Sequence, residues 1–168
     1  QQPIEIRNLA HPPSAGYYST VIFEKNKYRH YCRETIPGYK GSDEDGNPGE
    51  VTAYEESTDG INWTKPNLGL FEVNGSRSNN YILVNMPPFS HNFSPFLDAR
   101  PGCPPEERFK ALAGTSASGG LVAFVSADGI RWTKLREEPV LKVVPGGLMF
   151  DSQNVAFWSP VETQYVAY

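Results

Sequence analysis

Two short runs of side chains in this sequence offer chemistry. Asp151-Ser152-Gln153-Asn154 supplies one carboxyl group and two amides, and His91-Asn92 supplies an imidazole and a third amide. A carboxyl group can give or take a proton in a reaction. It can equally bond nearby backbone N–H groups in an Asx-type turn, and Asp151 follows Gly146-Gly147, where such a turn would open a strand. An amide donates and accepts at once, so Asn92, Gln153 and Asn154, with His91 beside them, suit either the hydroxyl groups of a ligand or the buried backbone of a core. Asp98 and Arg100, just after Phe96-Leu97, have the spacing of a turn in which the aspartate bonds backbone and the arginine pairs with it. His30 lies mid-strand among aromatic residues and reads as a packed structural histidine. The sequence has no Gly-rich phosphate loop, HExxH, CxxC pair, EF-hand loop or GxSxG elbow, so nothing in it demands a metal or cofactor, and none is expected.

The elements that must position these groups follow from an internal repeat. Ser57-Thr58-Asp59-Gly60-Ile61-Asn62-Trp63-Thr64-Lys65 returns 69 residues later as Ser126-Ala127-Asp128-Gly129-Ile130-Arg131-Trp132-Thr133-Lys134, with seven of nine positions identical. Alternating runs precede both copies, Val51 to Glu56 and Leu121 to Val125. An Asp-Gly between strand-like runs is a tight turn, because glycine adopts positive φ at little cost and the Asp side chain bonds backbone N–H groups. Earlier in each unit a hairpin is expected, as in Ser19 to Phe23, the turn Glu24-Lys25-Asn26-Lys27, then Tyr28 to Cys32. Each unit therefore reads as four antiparallel strands, the fourth beginning at the Trp.

Sheets of four strands repeated every 60 to 70 residues describe the blades of a β-propeller. The expected fold class is all-β, with about 2.4 blades in 168 residues: blade 1 over about 11–72, blade 2 over about 80–142 and the start of blade 3 over about 148–168. Beginning at Gln1 and stopping just after the strand-like run 164–168, the chain reads as a fragment or a processed product. With 15 glycines and 15 prolines scattered as punctuation, helices are excluded beyond one turn at Pro105 to Lys110. The 15 basic residues form no run against 19 acidic ones, which argues against a nucleic-acid partner, and no apolar stretch approaches the length of a membrane helix. Cys32 and Cys103 read as two thiols, not as a bridge.

The stretches Tyr54 to Gly69, Pro104 to Leu112 and Phe150 to Trp158 together resemble bacterial proteins of the five-bladed propeller superfamily, which includes invertase-like and arabinanase-like glycoside hydrolases. The resemblance covers nearly the whole chain and about the N-terminal half of such a propeller. It implies a ligand site at the end of the central channel, where the residues that open each unit converge. It also implies a carbohydrate substrate and a secreted or periplasmic location. Glycosidic cleavage ordinarily uses two carboxyl groups; here Asp151 is the catalytic candidate, and His91, Asn92, Gln153 and Asn154 are the substrate contacts. A noncatalytic glycan-binding or structural propeller is the alternative, because the second unit has no acid between Ser90 and Leu97. The repeated Ser-x-Asp-Gly-x-x-Trp is also similar to the Asp-box of sialidases, with a turn one residue shorter. In either family it is structural. A partial propeller leaves an apolar blade face open, so self-association is expected as well.

Overall fold

The computed structural model describes residues 17–39, 49–146, 150 and 152–168, and over these the protein is all-β. The strands in chain order are β1 (Tyr17–Glu24), β2 (Lys27–Thr35), β3 (Glu50–Ser57), β4 (Tyr81–Leu83), β5 (Ser94–Leu97), β6 (Phe109–Ala113), β7 (Gly120–Ser126), β8 (Thr133–Lys134), β9 (Leu141–Lys142), β10 (Ala156–Ser159) and β11 (Gln164–Ala167). Single 3₁₀ turns at Pro105–Glu107 and Ser116–Ser118 are the helical pieces among the described residues. The expected position of one of them after two prolines is met.

Three antiparallel sheets follow one another. The first has the order β1-β2-β3-β4, the second β5-β6-β7-β8 with β9 also on β7, and the third is the β10-β11 hairpin. Lys25 and Asn26 join β1 to β2 with φ of 52° and 58°, the paired positive φ values that a two-residue hairpin turn needs to match strand twist. In β2, alternation sends Arg29, Tyr31 and Arg33 to one face and Tyr28, His30 and Cys32 to the other.

The fourth position of the first sheet differs from the sequence reading. After Trp63 the returning chain makes only the bridge Glu56–Thr64. Pro66 follows at once and has no N–H to continue the ladder. The edge of β3 is then completed by β4, which pairs with Thr52 and Ala53. Residues 81–83, assigned from the sequence to the second unit, thus belong to the first sheet. The second sheet repeats the device with two pieces, β8 and β9, on the edge of β7.

The two Asp-Gly turns share the same serine and aspartate bonds to backbone. In the first, Ser57 Oγ accepts from the N–H groups of Asp59 and Gly60 and donates to Asp59 Oδ1, which accepts from the N–H groups of Ile61 and Asn62. Ser126, Asp128, Gly129, Ile130 and Arg131 reproduce these bonds in the second. Gly60 and Gly129 sit at φ of 73° and 75°. The surroundings differ. A Cβ on Gly60 would lie 3.4 Å from the Tyr28 ring, whereas one on Gly129 would lie 2.6 Å from the Tyr31 hydroxyl and 3.3 Å from Phe109. The second turn is therefore seated on the first sheet, and Arg29 Nη1 donates to the Asp128 carbonyl oxygen at 3.1 Å. The core between the sheets gathers Ile22, Tyr31, Tyr54, Phe93, Phe109 and Phe124, all under a tenth exposed.

The backbone N–H groups facing Asp59, that of Asn62 foremost, hold its carboxyl well below the usual carboxylate range. At Asp128 burial acts in the opposite sense, and the N–H groups of Arg131 and Ile130 outweigh it. A carboxyl held below its unfolded value of 3.8 contributes its full stability above that value and loses it as pH falls. Stability is therefore expected to drop below about pH 4, less steeply in Asp128→Asn, as read by urea midpoints across an acid series. On the same measurement Gly60→Ala should cost about 1–2 kcal/mol for left-handed strain. Gly129→Ala should cost about 1–3 kcal/mol more, because the added methyl also meets a packed core.

Candidate functional site

The first strands of the three sheets lie side by side, β1 against β5 and β5 against β10. Between them runs a cavity of about 450 Å³, lined by residues 19–22, 94–97, 153 and 155–157. Polar groups gather at the end where these strands start. Gln153 Nε2 donates to the Ser19 carbonyl at 3.1 Å and to the Thr20 hydroxyl at 2.9 Å, tying the approach to β10 to the start of β1.

A buried carboxylate lies at the same end. Glu50, the first residue of β3, is 8% exposed, and its Oε2 accepts from His91 Nδ1 at 2.9 Å while Arg33 Nε lies 3.5 Å from its other oxygen. Arg33 Nη1 lies against the same imidazole, 2.8 Å from Nδ1 and 3.2 Å from Nε2. Arg33 also donates to the His91 carbonyl at 3.2 Å. The Tyr18 ring lies 4.5 Å from the guanidinium carbon and 5.8 Å from the His91 ring, so an aromatic face covers the cation. Tyr18 itself has φ of 51°, and the β1–β2 register shifts between Tyr17 and Thr20, a bulge that redirects the side chains at the start of β1. Arginine, histidine and tyrosine around one carboxylate give a site that can bond hydroxyl groups and hold negative charge.

The residues singled out from the sequence fall into different places. His91 belongs to this cluster, and Gln153 lines the cavity. Asn92 is fully buried, and its side chain serves backbone alone, donating to Gly114 O and Phe150 O at 2.7 Å each and accepting from Gly114 N at 2.8 Å. Asn154 donates to Ser152 O at 2.7 Å within its own turn. Asp151 lies outside the described residues. Arg33 and Glu50 were not singled out, although strand alternation puts Arg33 on one face with Tyr31; nothing in the sequence ties either of them to His91.

Asp98 takes the turn role expected of it and adds a link. Its side chain is wholly shielded and accepts from Arg100 N at 2.9 Å, from Lys110 Nζ at 3.1 Å and from the Tyr165 hydroxyl at 2.7 Å, joining β5, β6 and β11. Burial raises the tendency of its carboxyl to hold a proton, but these donors, Tyr165 first, bring it below the ordinary range. Cys32 and Cys103 are both thiols, and burial pushes that of Cys32 up to about 12. Among the described residues no group of three His, Cys, Asp or Glu side chains is placed to hold a metal ion, and no helix is long and apolar enough to cross a membrane.

Fold and site together define an all-β protein of consecutive antiparallel sheets with a polar site where their first strands begin. No family model and no curated protein matches the chain. Among solved structures, an N-acetylgalactosamine deacetylase from F. plautii in complex with blood group B trisaccharide superposes with a TM-score of 0.48 and 16% identity, over 89% of this chain and 37% of that one. This chain thus spans well under half the length of that protein, and a likeness of this size assigns neither fold nor activity.

Removing the cation beside Glu50 leaves a buried charge short of a partner. Arg33→Met is expected to destabilise the protein by about 3 kcal/mol, and the double change Arg33→Met with Glu50→Gln to recover most of that, on urea denaturation.

Proposed function

We propose that this chain is part of a carbohydrate-active β-propeller enzyme, a glycoside hydrolase whose glycan lies at the mouth of the cavity between β1, β5 and β10. The observation that carries the reading is the cluster of Tyr18, Arg33, Glu50 and His91 at the start of β1 and β3, next in the chain to the cavity residues Ser19 and Thr20 that Gln153 holds. Such a set is suited to sugars. Amide and imidazole groups bond hydroxyls in both directions, the guanidinium donates to them, and the tyrosine face stacks on the apolar side of a ring. Asp151 is the carboxyl group assigned to proton transfer or nucleophilic attack in this reading, and Glu50 is the second carboxyl group assigned to act with it. The remaining blades and a secreted or periplasmic location belong to the same proposal. Self-association of copies through an open blade face belongs to the same proposal.

A noncatalytic glycan-binding propeller is favoured by one observation. The cavity lining among the described residues contains hydroxyl and amide groups but no carboxylate.

Hydrolysis of a panel of nitrophenyl glycosides and retention on immobilised glycans, measured on the full-length protein, separate the two. The hydrolase reading expects turnover that falls about 10²–10⁴-fold in Asp151→Asn, with glycan retention kept. Retention without turnover selects the binding protein. Neither retention nor turnover removes both.

A further inference from the structure

His30 is buried as a packed histidine should be, at 2% exposure, yet both of its ring nitrogens are engaged. Nδ1 lies 3.1 Å from Glu55 Oε2, a carboxylate also 2% exposed, and Nε2 lies 2.5 Å from Ser19 Oγ. Since a carboxylate only accepts, the ring presents Nδ1–H to Glu55 and the lone pair of Nε2 to the serine hydroxyl. This is the proton order of a nucleophile, a general base and an orienting acid. The distribution of burial fits those roles. Ser19 is exposed and lines the 450 Å³ cavity, while the base and the acid lie beneath it. The edge of Trp63, with ring centres 5.6 Å apart, packs against the imidazole.

The three groups come from three adjacent strands. His30 and Glu55 are direct cross-strand partners, and Val21 is the partner of His30 on β1. Ser19, two residues before Val21, reaches the ring diagonally across the bulge, beside the left-handed Tyr18. Lys65 Nζ, 3.5 Å from the other Glu55 oxygen and 3.1 Å from Glu34, keeps that carboxylate oriented.

We infer that Ser19, His30 and Glu55 form a serine acyl-hydrolase site that opens into the cavity and takes esters of short carboxylic acids. Ser19 and His30 are the catalytic residues, and Glu55 is a positioning residue. The Ser19 proton passes to His30 Nε2 as Oγ bonds to the ester carbonyl carbon. The bond from that carbon to the alcohol oxygen then breaks, and the alcohol leaves with the proton from Nε2. Water, deprotonated by Nε2, attacks the acyl-serine, releasing the acid and returning the proton to Ser19. The sum is ester plus water giving acid plus alcohol. The Thr20 hydroxyl accepts from Gln153 and retains its own proton to donate to the developing oxyanion. Val21, Phe96 and Phe157 supply the apolar wall for a short acyl chain, and Ser94 and Gln153 the polar side for the alcohol. The volume suits a small ligand. The site does not depend on the glycosidase reading, which uses neither Ser19 nor His30.

The test is covalent labelling of the full-length protein with a fluorophosphonate, which loses fluoride to an activated serine, together with p-nitrophenyl acetate hydrolysis. One adduct mapped to Ser19 by mass spectrometry, and a loss of kcat/KM of about 10³-fold or more in Ser19→Ala, are expected. Ser19 is exposed, so this variant keeps the fold. Glu55→Gln should lower kcat with KM little changed and slow the labelling, which a purely packing role would not do to KM-corrected rates in a folded protein. Absence of an adduct at Ser19, or hydrolysis unchanged in Ser19→Ala, overturns the inference whatever the folding of the Glu55 variant.

Discussion

The seating of the second Asp-Gly turn against the first sheet sets where the rest of the molecule falls. Gly129 is accommodated because it has no side chain to meet Tyr31 and Phe109, and Arg29 closes the contact by donating to the Asp128 carbonyl while its guanidinium lies 5.2 Å from the Phe109 ring. Trp132, at the end of the same turn, packs edgewise on Tyr31 and Phe93. These contacts fix one sheet on the next. With that relation set, β1 lies beside β5, and His91 at the approach to β5 reaches Arg33 and Glu50 of the first sheet.

Strand alternation then gives the first sheet two polar faces with different neighbours. Arg29, Tyr31 and Arg33 face the second sheet, and their charges are matched there and at its margin: Arg108 and Arg29 meet the buried Glu24, and Arg33 meets Glu50 and His91. His30 and Cys32 point the other way, where Glu55, Trp63 and Lys65 surround the imidazole. Buried ion pairs such as these add little net stability, because desolvation offsets most of their attraction; their value lies in the large cost of any register that leaves one charge alone. Both clusters end at the start of β1, where the bulge at Tyr18 presents Tyr18 to one and Ser19 to the other.

The repeat could be read from the sequence because its causes are local. A Ser two residues before an Asp, a Gly after it and an alternating run on each side are sufficient for the turn and its flanking strands, and the bonds of Ser57 and Ser126 are made within four residues. The β1–β2 hairpin and the single helical turn after Pro104-Pro105 are local in the same sense. The all-β class follows from these signals together. The fourth strand was misplaced because its pairing is not local: Pro66 stops the strand after Trp63, and only the surface left open on β3 decides that Tyr81–Leu83 returns to it.

Site residues divide along the same line. His91 and Gln153 stand out in sequence by chemical type and position in the unit; His91 joins the Arg33–Glu50 cluster and Gln153 lines the cavity. Asn92 shares that type and position, yet lies buried on the backbone of Gly114 and Phe150, because one residue further along the chain points into the core. Arg33, Glu50, Ser19 and Glu55 are ordinary strand residues in sequence and gain their significance from partners that are 11 to 58 residues away. The sequence alone therefore determined the turns, the strand periodicity and the all-β class, each set by backbone preferences and side chains within a few residues. Only the tertiary structure decided which carboxylate meets which imidazole, because that depends on how twisted sheets stack, and stacking is fixed by packing across the whole chain.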